Sequence, residues 1–122
     1  MRLHLLMVTA LILGSQGLAQ AKPDAAGGLA LYQSRCVACH SVAYNGAGPA
    51  HQGVFGRKAG SAPNYVYSAA LKASGVVWEE KTLSQWLANP EKFIPGQKMG
   101  VMVEDASERQ DLIAYLKTLS AK

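Results

Sequence analysis

The stretch from Ser41 to Asn64 holds five glycines (Gly46, Gly48, Gly53, Gly56 and Gly60) and two prolines, Pro49 and Pro63, and shows neither helical nor alternating periodicity. An irregular segment of more than 20 residues is uncommon in a compact domain and is usually functional. Something other than a regular element must organise it. The run PEKFIPGQKMGVMV, Pro90 to Val103, poses the same problem again. Around these stretches the apolar spacing predicts short helices. Leu29, Tyr32, Cys36 and Cys39 recur at three- and four-residue intervals, which reads as one amphipathic helix over Gly27–Cys39 that ends at His40. Tyr67–Ala73 predicts a short helix stopped by Gly75. Thr82-x-x-Gln85 matches a capping box for a third helix, closed by Asn89-Pro90. A last helix over about Ser107–Ser120, capped by Asp105 or Ser107, has Leu112, Ile113, Tyr115, Leu116 and Leu119 as its apolar face. No run alternates as a strand would. The expected fold class is all-α, with three to five short helices and long loops.

The first 21 residues, MRLHLLMVTALILGSQGLAQA, have a charged start at Arg2, an apolar run from Leu5 to Leu13 and small residues at Ala19 and Ala21. This is the layout of a cleaved export signal. A membrane span needs roughly 20 apolar residues, and Gly14, Ser15, Gln16 and Gly17 interrupt the run too early. Cleavage after Ala21 would leave residues 22–122 as one domain, and the A-x-A ending points to a bacterial periplasm. Arg2 leaves with the signal, so Lys plus Arg falls from 12 to 11 against 8 Asp plus Glu, a formal charge of +3. That balance is mild and dispersed. It excludes nucleic-acid binding as the main business of the chain but can steer encounters with acidic surfaces.

Short helices and irregular loops make a poor core for a domain this small. Cys36-Val37-Ala38-Cys39-His40 supplies what is missing. C-x-x-C-H is the attachment signature of c-type haem: two thiols one turn apart can add to the two vinyl groups, and the next histidine lies under the iron. A thioredoxin-like pair would want a strand before the motif, and a zinc site would need four ligands where only His51 could join Cys36, Cys39 and His40. The sixth position of a haem iron could be filled by His51, Met99 or Met102. Met99, in an irregular Pro-Gly loop with no other evident task, is the favoured candidate.

From Gly28 onward the chain resembles the class I cytochromes c, in particular the branch with mitochondrial cytochrome c and bacterial cytochrome c2. The runs that carry the resemblance are CVACH, Gly48-Pro49, GVFGRKAG, SGVVW, LANPEKFIPGQKM and RQDLIAYLK, in the family's order and spacing. The resemblance implies a cytochrome c fold wrapped around one covalent haem c. It implies thioethers at Cys36 and Cys39, with His40 and Met99 as axial ligands, leaving Met102 structural. It implies that the Pro49 carbonyl accepts the free N–H of His40, that Arg57, Tyr67 and Trp78 bond the propionates, and that Trp86 packs on the haem where the family often has tyrosine. Gly28 and Tyr32 would meet Leu112 and Tyr115 where the first helix crosses the last. Two positions depart from the pattern. His51 stands where the family usually has leucine, which suggests a shifted loop or an exposed imidazole, with misligation as the sharper alternative. Leu71 replaces a polar residue that often supports a buried water.

The resemblance implies an electron-transfer protein and not an enzyme; together with the export signal it leads us to expect a soluble, monomeric periplasmic carrier with no stable membrane insertion. Its partners would be acidic docking surfaces on a quinol–cytochrome c oxidoreductase, an oxidase, a reductase, a reaction centre or a dehydrogenase. Lys58, Lys72, Lys81, Lys92 and Lys98 flank the haem-contacting runs and would form the basic side of that encounter. The alternatives are a dedicated haem subunit of a periplasmic dehydrogenase and, against the PGQKM loop, an open-site haem enzyme or ligand sensor.

Overall fold

The computed structural model describes residue 14 and residues 17–120, so most of the expected export signal lies outside the described residues. Among the described residues five helices follow one another: α1 (Ala25–Arg35), α2 (Ala69–Ala73), α3 (Glu80–Ala88), α4 (Pro90–Phe93) and α5 (Ala106–Thr118). The only β pairing among the described residues is a single bridge between Lys58 and Val77. No described helix is long and apolar enough to cross a membrane.

Local sequence accounts for most boundaries. The Asp24 carboxylate caps α1 by accepting from the Ala26 N–H at 3.0 Å, and Asp105 caps α5 by accepting from Glu108 at 2.9 Å. Ser68 caps α2 through the Leu71 N–H, so that helix starts at Ala69 rather than Tyr67. The capping box at α3 runs the other way from the expectation. Thr82 is the third helical residue, and its Oγ1 accepts from the Glu79 N–H at 2.8 Å, so Glu79 is the cap, three residues earlier than Thr82. Asn89 ends α3 and at once caps α4, with Pro90 in the first helical position. That one-turn helix has no visible period in the sequence because four residues are too few to show one.

The first helix is shorter than its apolar spacing predicts. Regular helix stops at Arg35, and residues 36–39 form a turn. The Cys39 carbonyl accepts from the Gly48 N–H at 2.7 Å and so ties the motif to the glycine loop, while His40 N–H still reaches back to the Cys36 carbonyl at 2.9 Å.

α1 packs chiefly on α5, and α3 also packs on α5. Gly28 is buried at the first crossing, and a Cβ there would run into the Asp111 carbonyl oxygen. Tyr32 beside it is only 3% exposed and leans on Tyr115, ring centroids 5.1 Å apart. Leu112, Ile113 and Leu116 of α5 and Leu83 and Trp86 of α3 complete the core. The long loop is organised largely by its own polar groups. The Asn45 side chain accepts from the Ala50 N–H and donates to the Pro63 carbonyl, both at 2.9 Å. Arg57 donates to the Ala50 and Gln52 carbonyls, and Gly53 N–H reaches the Leu119 carbonyl at 2.6 Å. On the other side, Arg109 donates to the Val103 and Glu104 carbonyls at 2.8 and 2.7 Å and approaches Ser84 Oγ. It clamps the end of the irregular run to α3 and α5.

Candidate functional site

The loops and helices enclose a cavity of about 270 Å³ whose lining includes most of the buried core. Cys36, Cys39, His40, Pro49, Arg57, Tyr67, Trp78, Trp86 and Met99 all line it, although they are spread over 64 positions of sequence from 36 to 99. Met102 does not, and is 47% exposed.

His40 is oriented by a hydrogen bond to the glycine-rich loop. Its Nδ1 lies 2.8 Å from the Pro49 carbonyl oxygen. A carbonyl can only accept, so Nδ1 carries the proton and Nε2 keeps a free lone pair. Burial pushes the His40 pKa below its ordinary value, with the Pro49 bond opposing that shift only in part. Gly48 makes room for this ring, because a Cβ there would overlap it. The two cysteines form no disulfide; Cys39 is exposed and Cys36 half-buried, and burial pushes the Cys36 thiol pKa up.

Arg57 turns its NH1 and NH2 groups to loop carbonyls, but among the described residues its buried Nε–H has no partner. Tyr67 accepts from the Ala62 N–H at 3.0 Å, which leaves its own hydroxyl proton to give. Trp78 is held by a backbone bond to the Arg57 carbonyl at 2.9 Å and packs against Trp86, centroids 5.4 Å apart. The Met99 N–H is caught by the Gln97 side chain, which pins the backbone beside the cavity.

His51 corrects the sequence reading. The imidazole is not exposed: it is half-buried, lines the cavity and stacks on the His40 ring, with centroids 4.0 Å apart and planes at 20°. Its Nδ1 hydrogen-bonds the Tyr32 hydroxyl at 3.0 Å. Burial, then the neighbouring His40 and Arg57, push its pKa down to about 3. Tyr65, unremarked in the sequence, also lines the cavity and donates to the Ala47 carbonyl at 2.6 Å. No local signal in the sequence marks either contact, since the partners lie 18 or 19 residues away.

Residues 25–120 match the Cytochrome c family. A cytochrome c of Euglena viridis is 44% identical over 99 residues, covering 79% of this chain and 97% of its own length. One of Gibberella zeae is 46% identical over 94 residues, covering 74% and 89%. Among solved structures, cytochrome cH from Methylobacterium extorquens superposes with a TM-score of 0.75 at 47% identity, covering 78% of this chain and 98% of that one. The chain belongs to the cytochrome c family.

As a cytochrome c it is an electron-transfer protein with one covalently attached haem c, on an all-α cytochrome c fold. The cavity suits that group. Apolar side chains surround a space edged by two cysteines and an imidazole with an open Nε2, and a partnerless guanidinium N–H stands where an acid group would satisfy it. Membership in a family that binds haem also closes the thioredoxin-like and zinc alternatives for the CVACH motif.

Proposed function

We propose that this chain is a periplasmic one-electron carrier, exported by a signal cleaved after Ala21. Cys36 and Cys39 would hold its haem through thioethers, and His40 and Met99 would ligate its iron. The observation that carries this reading is the convergence of all nine expected site residues on one cavity, with His40 Nε2 left free by the Pro49 bond. When bound, the haem supplies a one-electron iron couple whose potential is raised by Met/His ligation. The remaining work belongs to the chain. The Pro49 carbonyl orients His40 and adds to its basicity. Arg57 and Tyr67 each have a proton to donate to the propionates, and Trp78 stands with them as the third donor. Trp86, Leu83 and Leu112 keep water out of the pocket. Met102, exposed and off the cavity, has no part in ligation.

Lys58, Lys72, Lys81, Lys92 and Lys98 are all exposed, and Lys98 stands on the cavity rim. They form the basic docking side for an acidic partner such as an oxidase, a reductase or a quinol–cytochrome c oxidoreductase. Electron transfer to such a partner should slow as ionic strength rises.

The test is expression with the native leader in a bacterium competent for cytochrome c maturation. The periplasmic product should begin at Lys22 and keep its haem through acid–acetone extraction. Its low-spin spectrum should be unmoved by carbon monoxide. Ready carbon monoxide binding would remove Met99 from the ligand set, and absence of covalent haem would defeat the whole reading.

A further inference from the structure

The Pro49 bond fixes one direction of the His40 ring, that of Nδ1, but a ring pinned at one atom can still pivot about that bond. His51 removes the remaining freedom, since its face lies on the face of His40 at 4.0 Å and 20°. His51 is itself held at three points. Its backbone N–H donates to the Ser41 carbonyl at 2.9 Å, its carbonyl accepts from Val54 at 3.0 Å, and its Nδ1 bonds the Tyr32 hydroxyl. Tyr32 stands edge-on to the His51 ring, centroids 5.5 Å apart and planes at 62°. Tyr32 in turn sits at the α1–α5 crossing, buried to 3% exposure and packed on Tyr115. A continuous aromatic and hydrogen-bonded column therefore joins the helix crossing to the ring of the proposed axial ligand.

We infer that His51 and Tyr32 are positioning residues for His40: the His51 face sets the plane of the His40 ring, and the polarity of the His51–Tyr32 pair tunes the reduction potential of the bound haem. The inference rests on the reading of His40 as an axial ligand. Its physical content has two separable parts. Stacking is a matter of shape, so any flat ring of similar size at position 51 should preserve the ligand plane. Polarity is a matter of dielectric. A polar pair beside the ligand favours the oxidised state, which carries the greater charge, and replacing it with apolar groups favours the reduced state.

Three variants of the matured holoprotein separate these parts. The readouts are the midpoint potential and the pattern of paramagnetically shifted haem-methyl proton resonances in the oxidised protein, which reports the ligand-ring orientation. His51→Leu should raise the potential and redistribute the methyl shifts, because both stack and polarity are lost. His51→Phe should raise the potential while leaving the methyl pattern near wild type. Tyr32→Phe should raise the potential by a smaller step, since the stack survives and only the hydroxyl is gone. An unmoved potential together with an unmoved methyl pattern in His51→Leu and Tyr32→Phe overturns the inference. So does a methyl pattern in His51→Phe as disturbed as that in His51→Leu, because stacking would then not be what sets the plane. Should His51→Leu fail to mature, the other two decide alone. A wild-type protein without low-spin covalent haem overturns the ligand reading itself, an outcome visible before any variant is made.

Discussion

At the scale of single residues, Gly48 is constrained by space and not by backbone conformation. The His40 ring occupies the volume a side chain would need, and φ at Gly48 is not among the positive values. Gly48→Ala should therefore cost about 1–3 kcal/mol, the usual range for overpacking. It should also weaken the Pro49 bond by turning the His40 ring, and thermal unfolding with the visible spectrum of the holoprotein checks both. Tyr32 carries a pH signature. Burial pushes its phenol pKa up to about 12 from an ordinary value near 10. The unfolded chain then releases this proton first, so the stability it contributes is whole below pH 10 and is lost as pH climbs towards 12. At most about 3 kcal/mol is involved, at 1.36 kcal/mol per pKa unit. Tyr32→Phe should lose less stability than wild type between pH 10 and pH 12, read as the difference in their thermal midpoints. Equal losses in the two proteins would show that the Tyr32 proton is not linked to folding.

At the scale of elements, α1 and α5 meet so closely that the Asp111 carbonyl fills the place of a Gly28 Cβ. The contact is backbone on side-chain position, with no flexible tip to yield. Gly28→Ala should separate the two helices and cost more than the loss of a helix cap. The cap comparison is Asp105→Ala, which removes the acceptor for Glu108 N–H at the start of α5 and should cost about 1 kcal/mol. Chemical denaturation of the two variants beside wild type gives the order, and a larger effect for Asp105→Ala would show that the crossing relaxes. The ion pair Arg35–Glu108, at 2.9 Å, joins α1 to α5, and Lys117–Glu80, at 2.7 Å, joins α5 to α3; both are partly exposed. Surface pairs of this kind contribute roughly 0–1 kcal/mol, so the crossing is decided by packing.

At the scale of the whole molecule, the core and the haem cavity share their walls: Tyr32, Val54, Trp78, Leu83, Trp86, Val103, Leu112 and Leu116 belong to both. Leaving about 270 Å³ of such a core empty costs on the order of 6 kcal/mol at roughly 24 cal/mol per Å³. That is comparable with the whole stability of a small domain, about 5–15 kcal/mol. The Cys36→Ser, Cys39→Ser double variant, produced without haem attachment, should keep far-ultraviolet helical signal and lose a cooperative thermal transition. A sharp transition near that of the holoprotein would mean the loop network of Asn45, Arg57 and Arg109 suffices without the cofactor.

The sequence by itself determined what depends on neighbours along the chain. The helical class, the helix stop at Asn89-Pro90, and the CVACH attachment motif were all legible because each rests on residues within one or two turns, whereas the cap of α5 stayed open between Asp105 and Ser107 until the structure gave it to Asp105. The family resemblance carried the remaining site residues, and the cavity brings them together. Tertiary structure alone decided where long-range partners compete. The first helix ends at Arg35, and the turn that follows is tied by its Cys39 carbonyl to Gly48 in the loop. Arg109 clamps a run that has no period of its own. His51 looked out of place in the sequence, and its position became intelligible only when folding stacked it on His40 and brought Tyr32, 19 residues away, to its Nδ1. Local propensity acts over a few residues, whereas packing and buried hydrogen bonds depend on which distant segments the fold makes adjacent.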